Sequence, residues 1–202
     1  MLNSVDIISH SKDNYASQAR SYVRQNPNSK WFSLVKAPLY MYSLSGRDTT
    51  KWVNKALQKI GEAPVIYDSA MGELTRSNIE TMLRNEGYLH ATVDFEPKVV
   101  KRNRIDAVYY LHERERYKVV GVTREVDDSV VEKYILEDTV KSLLKRGMPF
   151  SINTLNKERE RVTAMLKDVG FYKFQKEYIT FVADTAHHST AINIKMKVAG
   201  FR

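Results

Sequence analysis

One pattern occurs twice in this chain, and it limits the possible folds more than any other feature. Met82-Leu83-Arg84-Asn85-Glu86-Gly87-Tyr88 and Met165-Leu166-Lys167-Asp168-Val169-Gly170-Phe171 both read Met-Leu, a basic residue, two variable positions, Gly, then an aromatic, 83 residues apart. The same offset sets Gly61 and Pro64 near Gly147 and Pro149, and lays Lys51–Ile60 over Tyr134–Leu143. An alternating segment follows each Gly-aromatic pair, and then a second one. Agreement in order, with matching flanking periodicities, argues for two copies of one small unit.

The second copy is the cleaner. Tyr117–Glu125 is rich in β-branched residues and reads as a strand. Asp127, Asp128 and Ser129 offer helix N-caps at the positive end of a helix dipole. Val131, Ile135, Leu136, Val140, Leu143 and Leu144 recur at helical spacing, and Gly147 follows Lys145 and Arg146 as a stop signal. A second helix is expected with Leu155, Val162, Met165, Leu166 and Val169 on one face, ending at Gly170. Ile179, Phe181 and Ala183, then Ile192, Ile194, Met196 and Val198, alternate with polar or outward residues as half-buried strands do.

The first copy shares the later half of this pattern. A helix is expected over Ser77–Glu86 with Ile79, Met82 and Leu83 inward, followed by alternation at Ala91, Val93, Phe95 and at Ile105, Ala107, Tyr109, Leu111. Its opening has two readings. Val5–Ser9 is the first strand and Tyr15–Gln25 the first helix, with an insertion carrying its own helix around Trp52; or Leu34–Tyr42 is the strand and everything earlier is an extension. The constant offset favours the second, and the β-branched Val5-Asp6-Ile7-Ile8 favours the first. The expected architecture is α+β: two tandem strand-helix-helix-strand-strand modules, each a three-stranded mixed sheet with two helices on one face. Module 1 spans residues 1–116 with an insertion at about 26–63, and module 2 spans 117–202. No Gly/Pro/Ser-rich linker lies between them, so a short, stiff joint is expected.

The chain has 202 residues, 43% of them hydrophobic, and no cysteine, which removes disulfides, thiolate catalysis and cysteine-bound zinc. No apolar run approaches the length of a spanning helix, and the N-terminus lacks the basic-then-apolar pattern of a signal peptide. The net charge of +8 invites a nucleic-acid reading, but it divides evenly, +4 up to Arg116 and +4 beyond. Acids interrupt most basic clusters. The exception, Lys98, Lys101, Arg102 and Arg104, has the look of a hairpin tip. A basic nucleic-acid-binding α+β repeat protein is the alternative reading. It requires Lys and Arg gathered on one sheet face.

Chemistry is hard to find. His10, His90, His112, His187 and His188 show no metal-ligand spacing, and the adjacent pair suits a hairpin turn. Phosphate-loop and nucleophile-elbow glycine motifs are missing. Glu158 and Glu160 diverge on a helix and cannot share a proton. The sequence therefore points to a non-enzymatic chain, with no cofactor or metal expected. What remains are sheet edges, which proteins either guard or use to accept a partner's strand. The candidate edges are Lys176, Glu177, Tyr178, Ile179, Thr180, Phe181 and Val182 in the second copy, and Ala91, Val93 and Phe95 in the first.

Met148-Pro149-Phe150-Ser151, then Leu155-Asn156-Lys157-Glu158-Arg159-Glu160-Arg161-Val162, then Gly170-Phe171-Tyr172-Lys173-Phe174, resembles a POTRA domain, the polypeptide-transport-associated module of the BamA and TamA superfamily. Val23-Arg24-Gln25-Asn26-Pro27-Asn28-Ser29-Lys30 and Gly61-Glu62-Ala63-Pro64-Val65-Ile66-Tyr67-Asp68 look like the TamA-like surface-antigen branch of Bacteroidetes-type bacteria. The resemblance covers nearly the whole chain and is stronger over 117–202. It implies a periplasmic scaffold in outer-membrane protein assembly or translocation, with a C-terminal β-barrel in the same parent chain. It also implies strand augmentation by unfolded outer-membrane clients or an accessory assembly protein, and no nucleic-acid partner. The family's edge strand falls on Lys176–Val182 and on Ala91–Pro97. A signal sequence, sometimes with a lipid-anchored cysteine, is expected in such a protein.

Overall fold

The structure, a computed structural model, describes residues 1–9, 15–28, 37–45, 52–101, 103–185 and 190–200. They form two compact units, one of Met1–Thr81 and Thr92–His112, the other of Met82–Ala91 and Glu113–Arg202.

The second unit is built from β4 (Lys118–Val126), α5 (Ser129–Glu137), α6 (Ile152–Asp168), β5 (Ile179–Thr185) and β6 (Ala191–Val198). The sheet order is β4-β6-β5, with β4 parallel and β5 antiparallel to the central β6. Ile192, Ile194, Met196 and Val198 of β6 are all buried. They join two clusters. One gathers Val131, Ile135, Val162, Leu166, Phe174 and Ile179, and the other Val119, Leu144, Phe150 and Leu155. At the start of α5 the Asp128 side chain accepts from the Val130 and Val131 amides, at 2.8 and 3.2 Å, satisfying two donors that the helix cannot.

The helix expected to continue to Leu144 stops at Glu137. A 3-10 turn covers Asp138–Lys141, and the chain then turns away. Leu136 and Leu143 are exposed and Val140 is 88% exposed, so the apolar periodicity beyond Ile135 does not mark a buried face. The cause is Glu158 of α6, a carboxylate only 1% exposed. It accepts from the Ser142 hydroxyl at 2.7 Å and from the Leu143 amide at 2.9 Å, which holds this segment out of the helix and delivers Leu144 to the core.

In the first unit, β1 (Leu2–Ser9) is followed by α1 (Ala16–Ala19) with a 3-10 turn at Arg20–Tyr22, then α2 (Ala37–Leu44), α3 (Trp52–Ile60), α4 (Ser69–Asn85, whose residues from Met82 onward count with the second unit), β2 (Thr92–Lys101) and β3 (Arg104–His112). The order is β1-β3-β2, again with the first strand parallel and the second antiparallel to a central third. The first strand therefore lies at residues 2–9, while 37–42 is helical and 34–36 lies outside the described residues. Alternation in β3 is imperfect, since Val108 is buried along with Ala107 and Tyr109. The first helix is shorter than expected. α4 begins well before Ser77, its opening marked by Asp68, whose side chain accepts from the Ala70 amide at 2.9 Å.

The seven-residue repeat is a helix terminator. Gly87 and Gly170 both have positive φ, at 96° and 110°. The following aromatic amide reaches back to the leucine carbonyl, Tyr88 to Leu83 at 3.1 Å and Phe171 to Leu166 at 2.9 Å. The glycine amides reach Arg84 and Lys167, at 3.0 and 3.1 Å. This is a Schellman cap, which needs a residue free of Cβ strain at the glycine position.

Residues 23–28 and 61–68 meet within the first unit. Buried Asn28 donates to the Ala63 carbonyl at 2.7 Å and accepts from the Val65 amide at 3.1 Å, and Gln25 accepts from the Asp68 amide at 3.2 Å. Asn28 thus ties the two ends of the excursion that carries α2 and α3.

Candidate partner-binding edges

Backbone hydrogen-bond direction alternates along a strand, so one well-placed bond fixes the parity of the rest. In the second unit Val198 accepts from the Asp127 amide, so even-numbered residues of β6 turn toward the β4 side and odd ones toward β5. Through the pairs Thr180↔Lys197 and Val182↔Lys195, the backbone groups of Thr180 and Val182 serve the ladder. Those of Phe181 and Ala183 point to the open side of β5, while the Ile179 amide donates back to the Lys176 carbonyl and closes the turn before the strand. In the first unit the Ile105 amide donates to Met1, so even residues of β3 serve β2. Val93, Phe95, Pro97 and Val99 then turn outward. Pro97 sits opposite Ala107 in a pair with no ladder bond, where its missing N–H costs the sheet nothing. It also breaks the outward row of donors. The β5 row carries no proline.

The opposite edges begin covered. Leu2 of β1 donates to the Val65 carbonyl at 2.8 Å, and Val119 of β4 donates to the Met148 carbonyl at 2.9 Å. Val65 and Met148 are 83 residues apart, the offset of the repeat.

Not every candidate edge residue is in a strand. Lys176, Glu177 and Tyr178 form a 3-10 turn before β5, because Tyr178 donates back to Gln175 at 3.2 Å. Ala91 precedes β2 and is buried. Ile179 and Val93 are strand residues with side chains in the core. Phe95 stacks on Tyr109 with centroids 4.9 Å apart, and Phe181 lies under the Arg159 guanidinium at 5.5 Å. Thr180 and Val182 sit on the face away from the helices. The turn still contributes to a shape: Gln175, Lys176 and Glu177 form one wall of a groove of about 500 Å³, with Glu160, Thr163, Ala164 and Lys167 of α6 as the other. Sequence periodicity gave no sign of this groove, since its two walls are a turn and the polar side of a helix.

Charge is dispersed on the described surface. Lys195 and Lys197 of β6 both flank Glu125 of β4, at 3.6 and 3.8 Å. Lys98 donates to the Tyr110 hydroxyl at 2.7 Å and pairs with Glu96 at 3.2 Å; Lys101 and Arg104 close the β2–β3 hairpin, and Arg102 lies outside the described residues. His112 contacts Asp94 and His90 the Tyr117 hydroxyl, each at 3.0 Å. His10, His187 and His188 lie outside the described residues. Among the described residues no cluster of His, Asp and Glu is placed to hold a metal ion, and no helix is long and apolar enough to cross a membrane.

The buried charges form a network within the second unit. Burial would push the Glu158 carboxyl up, but hydrogen bonds from Arg161, Leu143 and Ser142 outweigh it and hold the group below the usual carboxylate range. Its hydrogen bonds to Glu158, joined by Asp138, raise the already high pKa of Arg161.

No protein-family model matches the sequence, and no curated protein does. The similar solved structures include POTRA segments of BamA and Omp85 proteins. A Haemophilus influenzae BamA fragment holding POTRA domains 3 to 5 is 13% identical, with a TM-score of 0.47, over 98% of this chain and 61% of that one. POTRA domains 1 and 2 of the periplasmic domain of Omp85 from Anabaena are 8% identical, with a TM-score of 0.43, over 100% of this chain and 97% of that one. BamA from Haemophilus ducreyi lacking POTRA domains 1 to 3 is 14% identical, with a TM-score of 0.45, over 98% of this chain and 29% of that one. The chain spans less than two thirds of the two BamA structures it matches.

Proposed function

We propose that this chain is a tandem pair of POTRA modules, residues 1–116 with an insertion at about 26–63 and residues 117–202, acting as the non-enzymatic periplasmic scaffold of an outer-membrane assembly or translocation protein. In this reading a C-terminal barrel in the parent chain anchors it. Its partners are unfolded outer-membrane clients or an accessory assembly protein, bound as an added strand. The observation that carries the reading is the shared sheet order: in both units the second strand lies at an edge with alternate backbone groups turned outward. The quoted sequence strings of the repeat support it independently. Of the two edges, β5 is the better acceptor, because the successive outward donors of Phe181 and Ala183 lie within the strand while Pro97 removes a donor from the middle of β2.

The test is a titration of the ¹⁵N-labelled chain with a synthetic decapeptide of alternating apolar and polar residues, followed by amide shifts. Ala183 is exposed and its amide faces outward, so Ala183→Pro removes a docking donor without opening the core. The expected result is shifts at Phe181 and Ala183 that Ala183→Pro abolishes while the remaining spectrum is retained. Equal binding by wild type and Ala183→Pro, or shifts confined elsewhere, overturns the edge assignment.

A further inference from the structure

The excursion tied off by Asn28 carries a helical pair whose apolar surface no described residue covers. α2 and α3 approach closely: the Glu62 amide donates to the Pro38 carbonyl at 3.1 Å, and a Cβ on Gly61 would lie 2.5 Å from the Tyr42 nitrogen. On α3, Trp52, Ala56 and Ile60 form one stripe at helical spacing, with Val53 and Leu57 beside it. This is an amphipathic pattern of the kind that ordinarily faces a core. Yet no described residue of α3 is buried; Trp52 is 79% exposed and Ile60 57%. Leu44 at the end of α2 is 74% exposed, and Tyr40 one turn before it 57%.

The composition around this surface indicates what covers it. Neither α2 nor α3 contains an Asp or Glu, and Lys55 and Lys59, both exposed, lie three and seven residues after Trp52 on the flank of the apolar stripe. Protein interfaces are depleted in lysine, whereas Trp and Tyr beside flanking lysines suit the boundary between acyl chains and anionic headgroups. α3 has nine residues, far too few to span a bilayer but enough to lie along its surface.

We infer that the α2–α3 pair docks flat on an anionic lipid surface, with Trp52, Leu44 and Ile60 entering the headgroup–acyl boundary and Lys55 and Lys59 meeting the headgroups. The assignment is independent of strand capture at β5, and the residues involved are in the other unit.

The experiment uses the full chain with Trp31→Phe, which leaves Trp52 as the remaining one of two tryptophans. Co-sedimentation and Trp52 emission are measured with phosphatidylcholine vesicles and with phosphatidylcholine–phosphatidylglycerol vesicles. Binding to the anionic vesicles, a blue-shifted emission and weakening with salt are expected. Trp52→Glu with Ile60→Glu, assayed by sedimentation, should cut the bound fraction about tenfold, and Lys55→Glu with Lys59→Glu should remove the salt-dependent part. Circular dichroism should match wild type, since these side chains are exposed. No binding to either vesicle overturns the proposal, as does equal binding to both or binding that survives Trp52→Glu with Ile60→Glu. So does a concentration-dependent dimer that these substitutions disperse, because a second copy then covers the surface.

Discussion

The Ser142 hydroxyl donates to the Glu158 carboxylate across 2.7 Å of protein interior, and this bond holds the chain that follows α5 against α6. The same carboxylate takes the Leu143 amide and two nitrogens of Arg161, each at 2.9 Å. Glu158→Ala would leave the Ser142 and Leu143 donors without their acceptor and the half-buried Arg161 charge with Asp138 alone. A loss of about 3 kcal/mol is expected, read as a lower urea midpoint.

The same group sets an acid limit. Its pKa is depressed below the ordinary 4.5 in the folded state, so its contribution is fully present above about pH 4.5 and is lost as pH falls through the folded value. Wild type should therefore lose more stability between pH 5 and pH 3 than Glu158→Gln, which has no proton to take up there. Thermal melts of both across that window check this, and parallel slopes would refute it.

The two repeat glycines share a conformation but not an environment. A Cβ on Gly170 meets nothing within 4 Å, while one on Gly87 would lie 2.4 Å from the Phe150 carbonyl oxygen. Gly170→Ala should cost only the left-handed backbone penalty, about 1 kcal/mol, and Gly87→Ala about 3 kcal/mol. Chemical denaturation of the two single variants makes the comparison.

Gly72 serves packing rather than backbone conformation. It stands over Phe95, where a Cβ would come within 2.4 Å of the ring, and its carbonyl accepts from the Tyr109 hydroxyl at 3.3 Å. Gly72→Ala improves helix propensity yet forces α4 off the Phe95–Tyr109 stack. Net destabilisation of about 1–3 kcal/mol is expected, visible in the melting temperature.

Pro97 guards its edge by lacking an N–H. Pro97→Val restores an outward donor in a β-favouring residue, so β2 should become an acceptor for the alternating decapeptide. New amide shifts at Val93, Phe95 and Val99 are the expected reading; shifts still limited to β5 would mean that something other than the proline closes β2.

Local signals read correctly were those whose cause is local. The Asp128 cap, the alternation of β6 and the Gly-aromatic terminators depend on neighbours within a few residues, so type and spacing suffice. β-branching at Val5-Asp6-Ile7-Ile8 favours a strand over Val5–Ser9 against the arithmetic of the repeat; the strand found there starts earlier, at Leu2, and the structure explains the conflict. The offset of 83 holds from Val65 and Met148 into the second helices, but the excursion closed by Asn28 displaces everything before it.

The misreadings share a cause as well. Glu158 sits in a string of alternating Lys, Glu and Arg that reads as a solvated helix face, and only the approach of Ser142 and Arg161 turns it into a core residue. Val140 and Leu143 fit a helical stripe, yet the Glu158 carboxylate draws the chain out of the helix. Lys176–Tyr178 looked like the start of a strand and became a turn.

Periodicity and cap chemistry alone specify two copies of one α+β unit, its strands and its helix ends, because those rest on short-range sterics and burial of one face. Which backbone groups face outward, which edge a proline closes, which carboxylate is buried and which apolar helix is left uncovered were decided by tertiary structure. Each of these depends on a partner distant in sequence, and a lone side chain carries no record of what will pack against it.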